Sequence, residues 1–166
     1  RAEDCSKRSQ LLLSTMTPSV PPAGADGSLS SASVLKNLIL TQQWQAIVTH
    51  IRSNPHDAKE ALEFNGVKAH PLHVACAIGA PIGVIKSLIA AYSTATQIKN
   101  DSGRLPLHCL FLNRCPSLNI LSPVVEAYPA ASHIADGSGK LAIHYACDQE
   151  GVVDDFFTIL LSTYPE

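Results

Sequence analysis

Residues 103–111 read GRLPLHCLF, and the reading of this stretch decides the fold. His108 beside Cys109, just after a glycine and a proline, raises a Cys/His catalytic pair; the competing reading is the start of a helix. HPLHVACAI at 70–78 and KLAIHYACD at 140–148 separate the two. Laid over one another, the stretches put His73, His108 and His144 at separations of 35 and 36 residues, while the next residue is Val74, Cys109 or Tyr145. Only the histidine recurs. Neighbouring side chains on a helix also diverge by about 100°, whereas a nucleophilic pair needs thiolate and imidazole to converge, with a third group orienting the base. No catalytic residue is assigned.

The repetition extends outward. Tyr92, Tyr128 and Tyr164 are spaced by 36 residues each, and each closes an apolar stripe. The first runs Ile82, Ile85, Leu88, Ile89; the second Leu118, Leu121, Val124, Val125; the third Phe156, Phe157, Leu160, Leu161. This is the spacing of a helix with one buried face. Upstream, Trp44, Ile47, Val48 and Ile51 hold the equivalent register at an offset of 38, with Ser33–Leu40 as the partner helix and Ser33 as its N-cap. Between helices, KNDSGR (99–104) and ADGSGK (135–140) carry the Asn, Asp and Gly of tight turns. A period near 36 predicts an all-α, stacked helix-turn-helix α-solenoid with minimal strand content. Its units span about 33–65, 66–101, 102–137 and 138–166 within a repeat domain of 31–166. Residues 1–30, rich in Ser, Thr, Pro and Gly, are read as a flexible or extended tail.

Composition narrows the function. With 12 Lys and Arg against 14 Asp and Glu, the chain lacks the cationic excess that displaces counterions from nucleic acid. Charged residues are only 16%, against about 25% in an ordinary domain, which fits a small protein of neutral surface or, as the sharper alternative, a chain covered by other protein subunits. Five cysteines at irregular spacing argue against a disulfide scaffold and for an intracellular setting, cytoplasmic or organellar. The longest uncharged run, 69–85, is too short and interrupted to span a membrane, although a partner within a membrane complex stays open. The numbering starts at Arg1, which is compatible with a removed targeting segment.

Other chemistry is weak. His70, His73 and Cys76 form HxxHxxC, but steps of three march around a helix and no CxxC pair exists; no metal is assigned. DGSGKLA (136–142) lacks the first glycine and the Ser or Thr of a P-loop, so no cofactor is assigned. Cys76 and Cys147 share a repeat position and read as small buried hydrophobes; Cys5 and Cys115 are expected to be exposed, with only Arg114 to favour a thiolate. The competing class is a metal-dependent or thiol-based enzyme, or a redox protein, on the same repeats.

These residues resemble the ankyrin repeat family, whose motif is Thr-Pro-Leu-His with a glycine two residues earlier. Pro71, Leu72 and His73 match it, as do Pro106, Leu107 and His108 with Gly103, and in part Ile143 and His144 with Gly139. The likeness covers 33–166 and is to a long variant of about 36 residues with a divergent first unit. Proline suits the first helical position because the N–H it lacks has no intrahelical partner there. The resemblance implies that the histidine ties neighbouring turns through backbone bonds, and that a non-catalytic scaffold or accessory subunit binds protein through loop tips and first-helix faces. Lys99, Asp101, Arg104, His133, Asp136 and Lys140 are the nominated tip residues. Three departures stand out: the long period, His70, Leu105 or Leu141 in place of the capping Thr, and Pro123 inside a helix that it should kink or delay. The last unit stops at TYPE after its second helix, which makes FFTILLSTY (156–164) the best candidate for an exposed apolar contact, against the alternative of an ordinary helix face; either another chain covers that end or the natural protein continues.

Overall fold

The computed structural model describes residues 30–64, 66–112, 118–149 and 154–163. The tail at 1–29, and with it Cys5, lies outside the described residues, as do Arg114, Cys115 and Tyr164. The chain is mostly helical. Eight α-helices are described: α1 (Ser31–Leu40), α2 (Trp44–Ser53), α3 (Pro71–Ala77), α4 (Ile82–Ala91), α5 (Pro106–Leu110), α6 (Leu118–Ala127), α7 (Ala142–Cys147) and α8 (Asp154–Ser162). Single 3₁₀ turns follow α2, α4 and α6 at Pro55–Lys59, Ser93–Gln97 and Pro129–His133.

Short and long helices alternate because short apolar motifs alternate with striped segments. Each long helix buries part of its stripe, Ile85 and Leu88 on α4, Leu121, Val124 and Val125 on α6, and Phe156 and Leu160 on α8; Val84 and Ile120 outside the stripes are buried too, while Ile82 and Leu161 within them are exposed. The short helices are covered on more sides, and every residue of α5 is buried. Together they form one apolar core from Leu35 on α1 to Leu160 on α8. Each fully buried Leu or Ile contributes roughly 1.5–3 kcal/mol by leaving water. At the first unit, the buried Asp57 carboxylate accepts hydrogen bonds from the Ser31 hydroxyl and His50 Nε2 (2.7 Å), fastening α1 and α2 to the first 3₁₀ turn, with His56 Nε2 beside it at 3.1 Å.

Several expectations are corrected. The N-cap of α1 is Ser30, whose hydroxyl accepts from the Ser33 N–H, because the helix begins two residues earlier than the apolar stripe. Pro123 does not delay α6, which begins five residues before it at Leu118 and runs through it to Ala127. Cys147 is exposed rather than buried, although Cys76 at the same repeat position is fully covered. Strand content is minimal, as expected, among the described residues: β1 (Leu62–Phe64) and β2 (Val67–Ala69) pair antiparallel as a hairpin, with Leu62 opposite Ala69 and Phe64 opposite Val67.

Candidate functional site

The hairpin and the two polar loops lie side by side as a row, joined chiefly through the backbone. Lys68 N–H donates to the Asp101 carboxylate (3.1 Å) and the Lys68 carbonyl accepts from Asp101 N–H (3.2 Å). One step on, Gly137 N–H donates to the Ser102 carbonyl (3.3 Å), and Lys99 Nζ reaches the Ala135 carbonyl (2.7 Å). Gly137 is a residue that sequence reasoning missed, though the closely spaced glycines of DGSG signal it: a Cβ there would lie 2.7 Å from the Ser102 carbonyl oxygen.

The two loops are built alike. Asn100 Oδ1 accepts from the backbone of Ser102 and Arg104, each at 3.0 Å; Asp136 Oδ1 accepts from that of Ser138 (2.8 Å) and Lys140 (2.9 Å). An Asx side chain thus closes each turn on itself. Gly103 and Gly139 follow with φ of 72° and 80°, the left-handed region where glycine has no Cβ penalty.

Of the nominated tip residues, Lys99, Asp101 and Lys140 are exposed. Arg104 is half-buried, with Nε 3.3 Å from the Tyr145 hydroxyl and 3.6 Å from the Asp136 carboxylate. Asp136 is buried and does not sit at the tip surface: beyond its turn bonds it accepts from Ser138 Oγ (2.7 Å) and the Tyr145 hydroxyl (2.6 Å). Burial alone would raise its pKa, but the bonds from Tyr145, Ser138 and Lys140 hold it well below the usual carboxylate range. His133 belongs to the third 3₁₀ turn rather than a loop, and its Nε2 donates to the Thr163 carbonyl at 2.9 Å. Lys68 and Glu63 are exposed on the hairpin, a part of the row that the helical pattern did not reveal.

The repeated histidines divide their work. His73, buried, donates from Nε2 to the Ile98 carbonyl at 2.9 Å, and its Nδ1 has no hydrogen-bond partner. Burial pushes its pKa down to about 4, with the Ile98 bond opposing. In α5 and α7 the ring turns back on its own helix start: His108 Nδ1 accepts from Leu105 N–H (3.2 Å) and His144 Nδ1 from Leu141 N–H (2.9 Å). The histidine itself therefore supplies the cap expected from an apolar contact at Leu105 and Leu141. Burial also lowers the His108 pKa, against the attraction of Asp136. Leu72 and Leu107 pack in the core, Pro71 and Pro106 open their helices, and Ile143 is half-buried.

Chemically the histidine-flanking thiols are quiet. Burial pushes the Cys109 thiol up to about 12, and burial together with the neighbouring Cys109 sets that of Cys76 well above its ordinary value. His108 Nδ1 is committed to Leu105 rather than to the Cys109 sulfur. His70 and His73 lie with ring centroids 5.9 Å apart, while Cys76 is sealed in the core. Among the described residues no helix is long and apolar enough to cross a membrane.

Comparison with known proteins defines the shape and nothing narrower. The chain shares its fold with one in the crystal structure of the yeast ribosomal protein Rps3 in complex with its chaperone Yar1, at a TM-score of 0.67 and 18% identity, over 84% of this chain and 99% of that one. No protein-family model matches, and no curated protein does. The ankyrin resemblance is corrected accordingly. Three in-phase Leu-His or Ile-His motifs are matched by no family model, and a likeness at 18% identity carries the fold alone. Helix-start chemistry explains the motif without common descent, since proline, an apolar residue and a back-bonding histidine are what such a helix start uses.

Proposed function

We propose that this chain is a non-catalytic protein–protein interaction module, an α-solenoid of about four stacked helix pairs that serves as a scaffold or accessory subunit of a larger assembly inside the cell. The observation that carries the reading is the loop row. Lys68 and Lys140 project from a strand and a loop in a row held together by main-chain bonds and by the Lys99 and Asp101 side chains, so they meet a partner with little backbone entropy left to lose. The buried thiols favour the same reading, because neither has the exposed, electropositive surroundings of a reactive cysteine. The solved structure of similar fold is of a complex between a ribosomal protein and its chaperone, a setting of protein–protein association. Free Cys76 and Cys109 fit a reducing compartment.

Crosslinking mass spectrometry in native extract tests it. The expected result is a recurrent protein neighbour linked through Lys68, Lys99 or Lys140. A monomer in extract with no crosslinked neighbour would refute the module.

A further inference from the structure

The tetrapeptide ADGS occurs twice in the chain, at 25–28 and at 135–138. The second occurrence is the loop in which Asp136 closes the turn and Gly137 N–H donates to the Ser102 carbonyl at 3.3 Å. The two lie 110 residues apart. So do Ile47 and Phe157, which hold one position of the helix stripes in the first and last units, reached through Ile85 and Leu121 in steps of 38, 36 and 36 residues. Residues 25–28 therefore stand in register with the loops of the row, ahead of the first helix, and Ser28 falls on the position of Ser102.

The hairpin at the start of the row has an open edge. In an antiparallel pair, two residues directly opposite either exchange both main-chain bonds or turn both pairs of groups away from each other. Lys68 spends its N–H on the Asp101 carboxylate (3.1 Å) and its carbonyl on the Asp101 N–H (3.2 Å), on the side away from β1. Glu63, its opposite number, thus turns its own N–H and carbonyl outward from the other edge, and among the described residues neither is bonded. An unpaired strand edge is a pairing template that proteins cover or blunt.

The chain itself brings 25–28 to that edge. Ser30 caps α1, the Ser31 hydroxyl donates to Asp57 in the 3₁₀ turn leading into β1, and Lys36 of α1 lies 5.6 Å from the Phe64 ring centre. Ser28 precedes Ser31 by three residues, a span of about 11 Å at most. A second copy is a poorer occupant: β1 paired with β1 about a twofold at Glu63 would set two carboxylates opposite each other, which destabilises.

We propose that residues 25–28 dock on the outer edge of β1 as a further loop of the row, the Ser28 carbonyl accepting from Glu63 N–H as the Ser102 carbonyl accepts from Gly137. Asp26 closes this turn as Asp136 closes its own. The contact covers the edge and lengthens by one loop the surface on which the interaction-module reading rests. It is a property of the chain alone, so the two readings fail separately.

Amide hydrogen exchange by NMR on the full isotope-labelled chain tests it. Glu63 N–H is expected to exchange at least about tenfold more slowly than an unstructured amide, with nuclear Overhauser contacts to Ser28 or Leu29. Asp26→Ala should speed that exchange about fivefold, whereas Asp4→Ala, outside the register, should change it less than about twofold. Unchanged amide shifts in α4 and α6 check that both variants fold. Glu63 exchange at the unstructured rate, equal effects of the two variants, or protection without contacts to residues 25–29 would overturn the proposal. So would contacts that arise only between chains, seen in isotope-filtered spectra of mixed labelled and unlabelled protein, since a second copy would then hold the edge. None of these outcomes alters the crosslinking expected through Lys68 or Lys140.

Discussion

Acidification from pH 7 to pH 4 is predicted to weaken the fold through His73, with much of the loss falling above the ordinary carboxylate range near pH 4. The ring lies 1% exposed, with Nε2 donating to the Ile98 carbonyl and Nδ1 making no hydrogen bond, so the neutral tautomer suits the site and the cost of burying a charged ring outweighs the backbone groups of Ile98, Arg104 and His70 that favour it. Its folded pKa is about 4, against about 6.5 in an unfolded chain. Between those values the unfolded chain binds the extra proton and the folded one does not. The stabilisation is therefore complete above about pH 6.5 and is lost as pH falls towards 4. Two and a half units at about 1.4 kcal/mol each give about 3.5 kcal/mol in full, of which about 3 kcal/mol is lost by pH 4, a sizeable share of the roughly 5–15 kcal/mol that holds a domain together. His70 and His108, also lowered mainly by burial, act in the same direction. Urea unfolding of the full chain, followed by far-ultraviolet circular dichroism at half-unit pH steps, measures the slope. His73→Gln, which can still donate an amide N–H to Ile98, should be less stable at pH 7 yet lose about 3 kcal/mol less over the window. If the variant and the parent fall in parallel, or if stability rises on acidification, the reasoning about a buried neutral imidazole is wrong.

Three further outcomes follow from the loops and thiols. Asp136→Ala should cost about 3 kcal/mol and Asp136→Asn about half that, read by the same unfolding assay, since both remove the charge that Tyr145 and Arg104 face and the alanine also strips the turn of its acceptor. Gly103→Ala should cost about 3 kcal/mol or more, because a left-handed residue also gains a Cβ 2.5 Å from the Gly137 nitrogen; Gly139→Ala, at similar φ but with open space around it, should cost only about 1 kcal/mol. Timed alkylation with mass mapping should modify Cys147 well before Cys76 and Cys109, and Cys109→Ser should shift stability by about 1 kcal/mol or less.

The helices were readable because burial writes itself into sequence at fixed spacing. Ile85, Leu88, Leu121, Val124, Phe156 and Leu160 fall in the stripes and in the core alike. What escaped detection has other causes. The hairpin at 62–69 alternates Leu, Glu, Phe and Val, Lys, Ala around Asn65–Gly66, a strong two-residue turn signal. Its strands are three residues each, too short for periodicity to register against a helical background. The 3₁₀ turns occupy single turns that no stripe marks. Asp136 was legible as a turn residue but not as a buried one, because its burial depends on Tyr145 and Arg104 arriving from elsewhere in the chain. Likewise, nothing in the motif told that His108 and His144 would bend back to cap their own helices while His73 reached forward to Ile98.

The loop row has a consequence for how such a protein can diversify. Two of its four ties use main-chain atoms at both ends, supplied whatever the side chain, from the Asp101 amide to the Lys68 carbonyl and from the Gly137 amide to the Ser102 carbonyl, while the other two use the Asp101 carboxylate and the Lys99 ammonium. Glycine at 103 and 137 fills the close approach, and Asn100 and Asp136 hold the bends. At Glu63, Lys68, Ser138 and Lys140 the outward side chain makes no tie between one loop and the next, so the lettering can be rewritten while the shelf that displays it stays level.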